Sequence, residues 1–189
     1  MDCRHDLYFM LHLPPDVAQI AIRLRSRLDA HYRGSSSPMA PERLHVTLVP
    51  LGSHDFYVPY EVVQQLSRVG DSLEHAPFRV SFDTLQSPGP SAGSVELTGH
   101  GDGVLALSRL RRQLVEELHQ VGWPDQDTRR RFRPHVTLDY HHEPINARRI
   151  QPVAWDVTEF LLVDSHYGEG SHEVLARWTL RDRQPSLFT

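Results

Sequence analysis

The tetrapeptide His-Val-Thr-Leu occurs twice in this chain, as His45-Val46-Thr47-Leu48 and as His135-Val136-Thr137-Leu138. In an extended strand alternate side chains leave opposite faces, so His45 and Thr47 share one face about 6 to 7 Å apart along the strand. Leu44, Val46 and Leu48 are then expected in the core, and Val136 and Leu138 in the second copy. Each copy offers one imidazole and one hydroxyl to the same side of a sheet. Two such strands related by an approximate two-fold axis would bring two imidazoles and two hydroxyls to one cleft.

That set of groups suits displacement at phosphorus without a metal. One base must deprotonate the incoming hydroxyl or water, and one acid must protonate the departing oxygen. An imidazole with its ordinary pKa of about 6.5 supplies both forms near neutrality. The hydroxyls of Thr47 and Thr137 can donate to the non-bridging oxygens and hold the phosphorus in line. A lone His-x-Thr is more often a packing or surface histidine. Two identical copies, each following a proline at Pro41 or Pro134, point instead to His45 and His135 as a catalytic pair.

Other polar residues bear on the same chemistry. Arg129, Arg130, Arg131 and Arg133 crowd the approach to the second copy, and the planar guanidinium fork matches phosphate. Arg133, two residues before His135, is the expected phosphate contact. His166 and Tyr167 end an apolar strand and are candidates to reach the cleft rim and stack on a base. His141, His142 and Glu143 do not make a metal site, because neighbouring residues on a strand point to opposite faces and no third ligand stands at a useful spacing. His5, His12, His31, His54, His75, His100, His119 and His172 have no motif around them and are most simply surface or packing residues.

The elements that must position these groups follow from periodicity. Residues 7 to 13 read as a buried strand closed by Pro14-Pro15. Val17, Ala21, Leu24 and Leu28 then form a helical stripe running to about Tyr32. Gly34 to Pro38 is expected as a surface loop, and Leu44 to Leu51 as a second apolar run. Val62, Leu66, Val69 and Leu73 make another helical stripe, weakened by Gly70 in its interior. Phe78 to Leu85 and Ser94 to Thr98 read as strands, and residues 104 to 121 as the longest helix, closed by Gly122. His135 to Tyr140, Val153 to Val157, Glu159 to Asp164 and Glu173 to Leu180 read as extended. Helices and strands do not alternate strictly, so the expected class is α+β with antiparallel sheets, residues 1–189 forming one unit of two lobes.

The 189 residues carry 20 basic groups, all arginine, against 24 acidic ones, for a formal charge of -4. This argues against sequence-blind duplex binding but permits a local anion site. No run is long enough to span a bilayer, the N-terminus has no leader pattern, and the single Cys3 excludes an internal disulfide. A cytoplasmic monomer without membrane, cofactor or obligate protein partner is expected.

The segments Arg43 to Gly52 and Arg131 to Leu138 resemble the two signature motifs of the two-histidine (2H) phosphoesterase superfamily, specifically the LigT-like RNA 2',3'-cyclic phosphodiesterases, also called 2'-5' RNA ligases. The resemblance extends over nearly the whole chain, including the long helix before the second motif and the closing Phe160 to Ser165 and Leu175 to Leu180 segments. It implies a bilobal α+β fold, two pseudo-symmetric lobes of antiparallel sheet with flanking helices around a central cleft. It also implies roles: His45 as proton donor to the leaving oxygen and His135 as the acceptor that activates the nucleophile. The implied substrates are RNA ends or nucleotides bearing a 2',3'-cyclic phosphate, opened to a 2'-phosphate; a 5'-hydroxyl in place of water would make a 2'-5' linkage. A diesterase for 2'-5' linkages and a non-catalytic RNA-end binding module are the alternatives. Many members have an aromatic residue where this chain has Pro50, and a basic one, near base or phosphate, where it has Tyr140.

Overall fold

A computed structural model describes residues 4–29, 37–89, 93–124, 132–140 and 143–182. Cys3, His31, Arg129, Arg130, Arg131, His141 and His142 lie outside the described residues, as does the side chain of Tyr167.

The described residues build nine strands and three α-helices in two antiparallel sheets. The first sheet has the order β3-β1-β8-β9, from β1 (Arg4–His12), β3 (His45–Asp55), β8 (Glu159–Tyr167) and β9 (Ser171–Thr179). The second has the order β2-β6-β5-β4-β7, from β2 (Ser37–Pro38), β4 (Phe78–Gln86), β5 (Ser94–Thr98), β6 (Val136–Tyr140) and β7 (Arg148–Val157). The helices are α1 (Pro15–Asp29), α2 (Tyr60–Ser72) and α3 (Asp102–Gln120). Thus α+β with antiparallel sheets holds, and each strand and helix expected from periodicity is present, β5 with its expected ends and most others with shifted ones; the expected end of the first helix near Tyr32 lies outside the described residues.

Of the loop expected over residues 34 to 38, residues 34–36 lie outside the described residues and the last two differ. Ser37 and Pro38 pair with Tyr140 and Asp139 as a short edge strand, where a proline is tolerated because it donates no ladder bond. From there the chain crosses between sheets. Met39 donates to the Leu138 carbonyl at 3.0 Å, Pro41–Arg43 make one 3-10 turn, and the Leu44 carbonyl accepts from Leu13 at 3.0 Å. This crossing starts β3, the strand of the first motif, against the second sheet.

Helix α1 follows a strand of the first sheet yet packs on β6 and β7 of the second, while α3 packs on both β4 and β3. One main core of buried residues is consequently drawn from both sheets, including Phe9, Leu48, Phe82, Leu110 and Leu138. The buried stripe of α3 is Leu107, Leu110, Leu114 and Leu118, and Gly122 ends it with φ 71. The amides of Gly122 and Trp123 bond back to the His119 and Leu118 carbonyls, so the helix closes on a left-handed glycine.

Gly70 is not merely a weak point of α2. A Cβ there would lie 2.1 Å from the Trp178 ring, so the helix needs glycine to let that indole approach, and the indole N–H then bonds Asp71 at 2.8 Å.

Candidate active site

Both motifs follow the predicted alternation. Leu44, Val46, Leu48, Val136 and Leu138 are each at most 1% exposed, while His45, Thr47, His135 and Thr137 are not buried in the core. Alternation breaks directly after each motif. Bulges in β3 send Val49 inward beside Leu48, and Asp139 is fully buried at the end of β6. Asp139 ties α1 to the second motif: its carboxylate takes Arg25 at 2.7 Å and the Ser37 amide at 2.8 Å.

The two histidines are held alike. His45 Nδ1 lies 2.6 Å from the Arg43 carbonyl, and His135 Nδ1 lies 2.8 Å from the Arg133 carbonyl. A carbonyl only accepts, so Nδ1 carries the proton in both rings, and Nε2 is the nitrogen each ring presents for proton transfer. The same contact arises twice where each motif reads Arg-x-His-x-Thr, the ring of each His reaching back to the Arg carbonyl. The two rings come from strands of different sheets, and a charge on His135 bears on the titration of His45.

Three groups at this site carry no motif and were missed as site residues in the sequence. His12 stands opposite His45 in the β1–β3 register. His172 packs edge-on against His45, with ring centroids 5.2 Å apart, and stacks on His12 at 5.5 Å. Expected most simply as surface or packing residues, His12 and His172 do pack, and they pack at His45. His12 was legible in part, since it alternates with the core residues Leu11 and Leu13. His172 was not, because its position depends on how β9 pairs.

Burial lowers His45 to about 4, the bond to the Arg43 carbonyl opposes this, and positive charge on His12, Arg43 and His135 lowers it further. Burial, then charge on His45, Arg43 and His12, lowers His172 to about 3. His12 is lowered as well, by burial and by Arg177. His45 therefore rests as the neutral imidazole at neutral pH in the free protein, contrary to the ordinary titration assumed from residue type.

The third missed group is Glu96, 5% exposed on β5. It accepts from Arg133 Nη2 at 2.7 Å, and its other oxygen lies 3.7 Å from His135 Nε2. Thr137 is its neighbour across β5 and β6. Arg133, 45% exposed, is thus held beside the second motif by a carboxylate. Tyr140 ends β6, 44% exposed and near enough to Tyr8 of the first sheet to influence its ionisation. His166 is placed differently. Its ring turns to Asp164 and His5, on the face of β8 opposite Ser165, and Tyr167 is the last residue of that strand.

Two antiparallel sheets that each contribute a His-x-Thr strand define a phosphoesterase-type fold. The 2'-5' RNA ligase superfamily matches residues 13–169, and the chain belongs to that family. LigT of E. coli, solved in complex with 3'-AMP, is 26% identical with a TM-score of 0.73, over 94% of this chain and 98% of that one. The same protein has been solved with ATP, phosphate and NADP+. TT0787 of Thermus thermophilus is 26% identical with a TM-score of 0.72, over 95% of this chain and 100% of that one. The PDE domain of MHV ns2 shares the fold at 15% identity and a TM-score of 0.51, over 91% of this chain and 97% of that one. No curated protein matches the chain.

Proposed function

We propose that this protein hydrolyses 2',3'-cyclic phosphate ends of RNA or nucleotides to 2'-phosphates by paired histidine chemistry that needs no metal. The observation that carries this is the matched pair of rings on motifs of different sheets, each with Nδ1 on the carbonyl two residues before it and Nε2 left for proton transfer. His135 Nε2 takes a proton from water as its oxygen attacks phosphorus. The bond from phosphorus to the 3'-oxygen breaks, and that oxygen takes the proton of His45 Nε2. Thr47, Thr137 and Arg133 hold the phosphate oxygens, and Tyr140, with Tyr167 as a further candidate, borders the base. The complex of the LigT relative with 3'-AMP supports a nucleotide ligand of this class.

The burial that keeps His45 neutral in the free protein gives the bound phosphate a second role. An anion beside the ring favours the imidazolium, so the acid forms as substrate binds. With a 5'-hydroxyl replacing water, the same groups would form a 2'-5' linkage, as the family's name describes.

Incubation with a panel of 2',3'-cyclic nucleotides and cyclic-ended RNAs, with the product isomer identified, tests the proposal. A 2'-phosphate is expected, with turnover reduced by about 10²- to 10⁴-fold in His45→Ala and in His135→Ala. A 3'-phosphate product, or near-normal turnover in both variants, would overturn it. Tight binding of cyclic ends with no product after long incubation would identify a binding module.

A further inference from the structure

A second polar cluster lies on the face of the first sheet opposite His172. In the β1–β8 ladder His5 stands across from His166, and Leu7 across from Asp164, so the three polar residues share one face. Asp164 is 3% exposed. Its Oδ2 lies 2.6 Å from His5 Nδ1 and 3.3 Å from His166 Nε2, and the two rings meet edge to face at 4.9 Å.

The hydrogen-bond inventory of this cluster does not close. His5 Nε2 lies 3.1 Å from the Phe56 carbonyl, which only accepts, so that nitrogen carries the proton. In the neutral ring Nδ1 is then a lone pair aimed at a carboxylate oxygen. Moreover, Asp164 Oδ1 and His166 Nε2 are both buried without a hydrogen-bond partner. Buried orphans of this kind are rare and destabilising, and two converge here on His5 Nδ1, which meets the carboxylate favourably only by holding a proton or a cation. A cation among them would satisfy all three.

We propose that His5 Nδ1, the Asp164 carboxylate and His166 Nε2 bind one divalent ion of the zinc class. The three ligand atoms lie within 4.8 Å of one another, so small rotations close them on one ion. Two imidazole nitrogens with one carboxylate suit zinc, where magnesium or calcium would ask for oxygens alone. Glu173, with Oε2 3.7 Å from His166 Nε2, stands where a fourth ligand is needed; a water is the other candidate. Outer partners for both rings are in place. The Phe56 carbonyl accepts from His5 Nε2, and the Glu169 carboxylate lies 3.6 Å from His166 Nδ1, ready to accept its proton. The ion would cross-link β1 and β8 and hold the β8–β9 turn, a structural role apart from the His45 and His135 chemistry.

The test is zinc titration of the full-length protein after stripping with EDTA, read by calorimetry. One equivalent is expected, weakened by about 100-fold or more in His5→Gln and in His166→Gln, with far-UV circular dichroism confirming that each variant is folded. Binding is expected to survive in His45→Ala, which separates this site from the imidazoles of His12, His45 and His172. X-ray absorption of the zinc-loaded wild type needs no variant and is expected to show two imidazoles at about 2.0 Å with oxygen completing the shell. No saturable binding, binding intact in both Gln variants, a shell of three imidazoles, or binding lost in His45→Ala would each overturn the proposal.

Discussion

Replacing His172 by alanine should make His45 easier to protonate. The His172 ring covers one edge of His45 at 5.2 Å, and burial is the leading cause that holds His45 at about 4. Against an ordinary value of about 6.5, this disfavours the imidazolium by about 3 kcal/mol. Removing the ring admits water, while charge on His12, Arg43 and His135 still lowers the pKa. A partial return toward 6.5 is the expected result, each unit regained raising the protonated fraction at pH 7 about tenfold from about one in a thousand. Nitrogen-15 NMR of the imidazoles, titrated with and without the substitution, reads the change directly. The acid limb of kcat/KM against pH should move up with the His45 titration, whatever the absolute height of the curve. A wild-type His45 that titrates near 6.5, or one that titrates identically in the variant, would refute the link between its burial and its chemistry.

Stability should fall on the acid side. His45, His172 and His12 have folded pKa values below their unfolded ones, so the unfolded chain binds more protons and stability is lost as pH drops from about 6.5 toward about 4. His45 alone accounts for about 3 kcal/mol between pH 7 and pH 4, measurable by urea unfolding across that range. His5 has the opposite sign: its hydrogen bond to Asp164 raises its pKa, and this contribution is full below about 6.5 and lost as pH rises through the raised value. Asp139→Ala should lower stability by about 3 kcal/mol or more, because it removes the buried carboxylate that Arg25 and the Ser37 amide share; denaturant midpoints check this. Gly70→Ala sets a helix-propensity gain of about 1 kcal/mol against overpacking of about 1 to 3 kcal/mol at Trp178, so a net loss is expected, with a change in Trp fluorescence.

Local pattern was enough for most elements because each buries a face whose period is written in consecutive residues. The stripe of α3, the ends of β5 and the inward Val46, Leu48, Val136 and Leu138 are of this kind. Gly70 marks the limit of that logic. Its helix propensity is a local property, whereas its reason for being glycine is an indole contributed by β9, more than a hundred residues away.

The same division runs through the site. By itself the sequence determined that two imidazole-hydroxyl pairs exist, that each shares a strand face, and that the chemistry they suit is at phosphorus, because alternation along a strand is a local constraint. Only the tertiary structure decided how His45 titrates and what holds Arg133 beside His135. A pKa depends on the dielectric and charges within a few ångströms, and for His45 these come from the packed His172 ring and from His12, on strands that pair at long range; Glu96, on another such strand, holds Arg133. Likewise, His5 and His166 stand in no motif of the sequence and become a cluster with Asp164 only because β1 and β8, at the two ends of the chain, lie side by side.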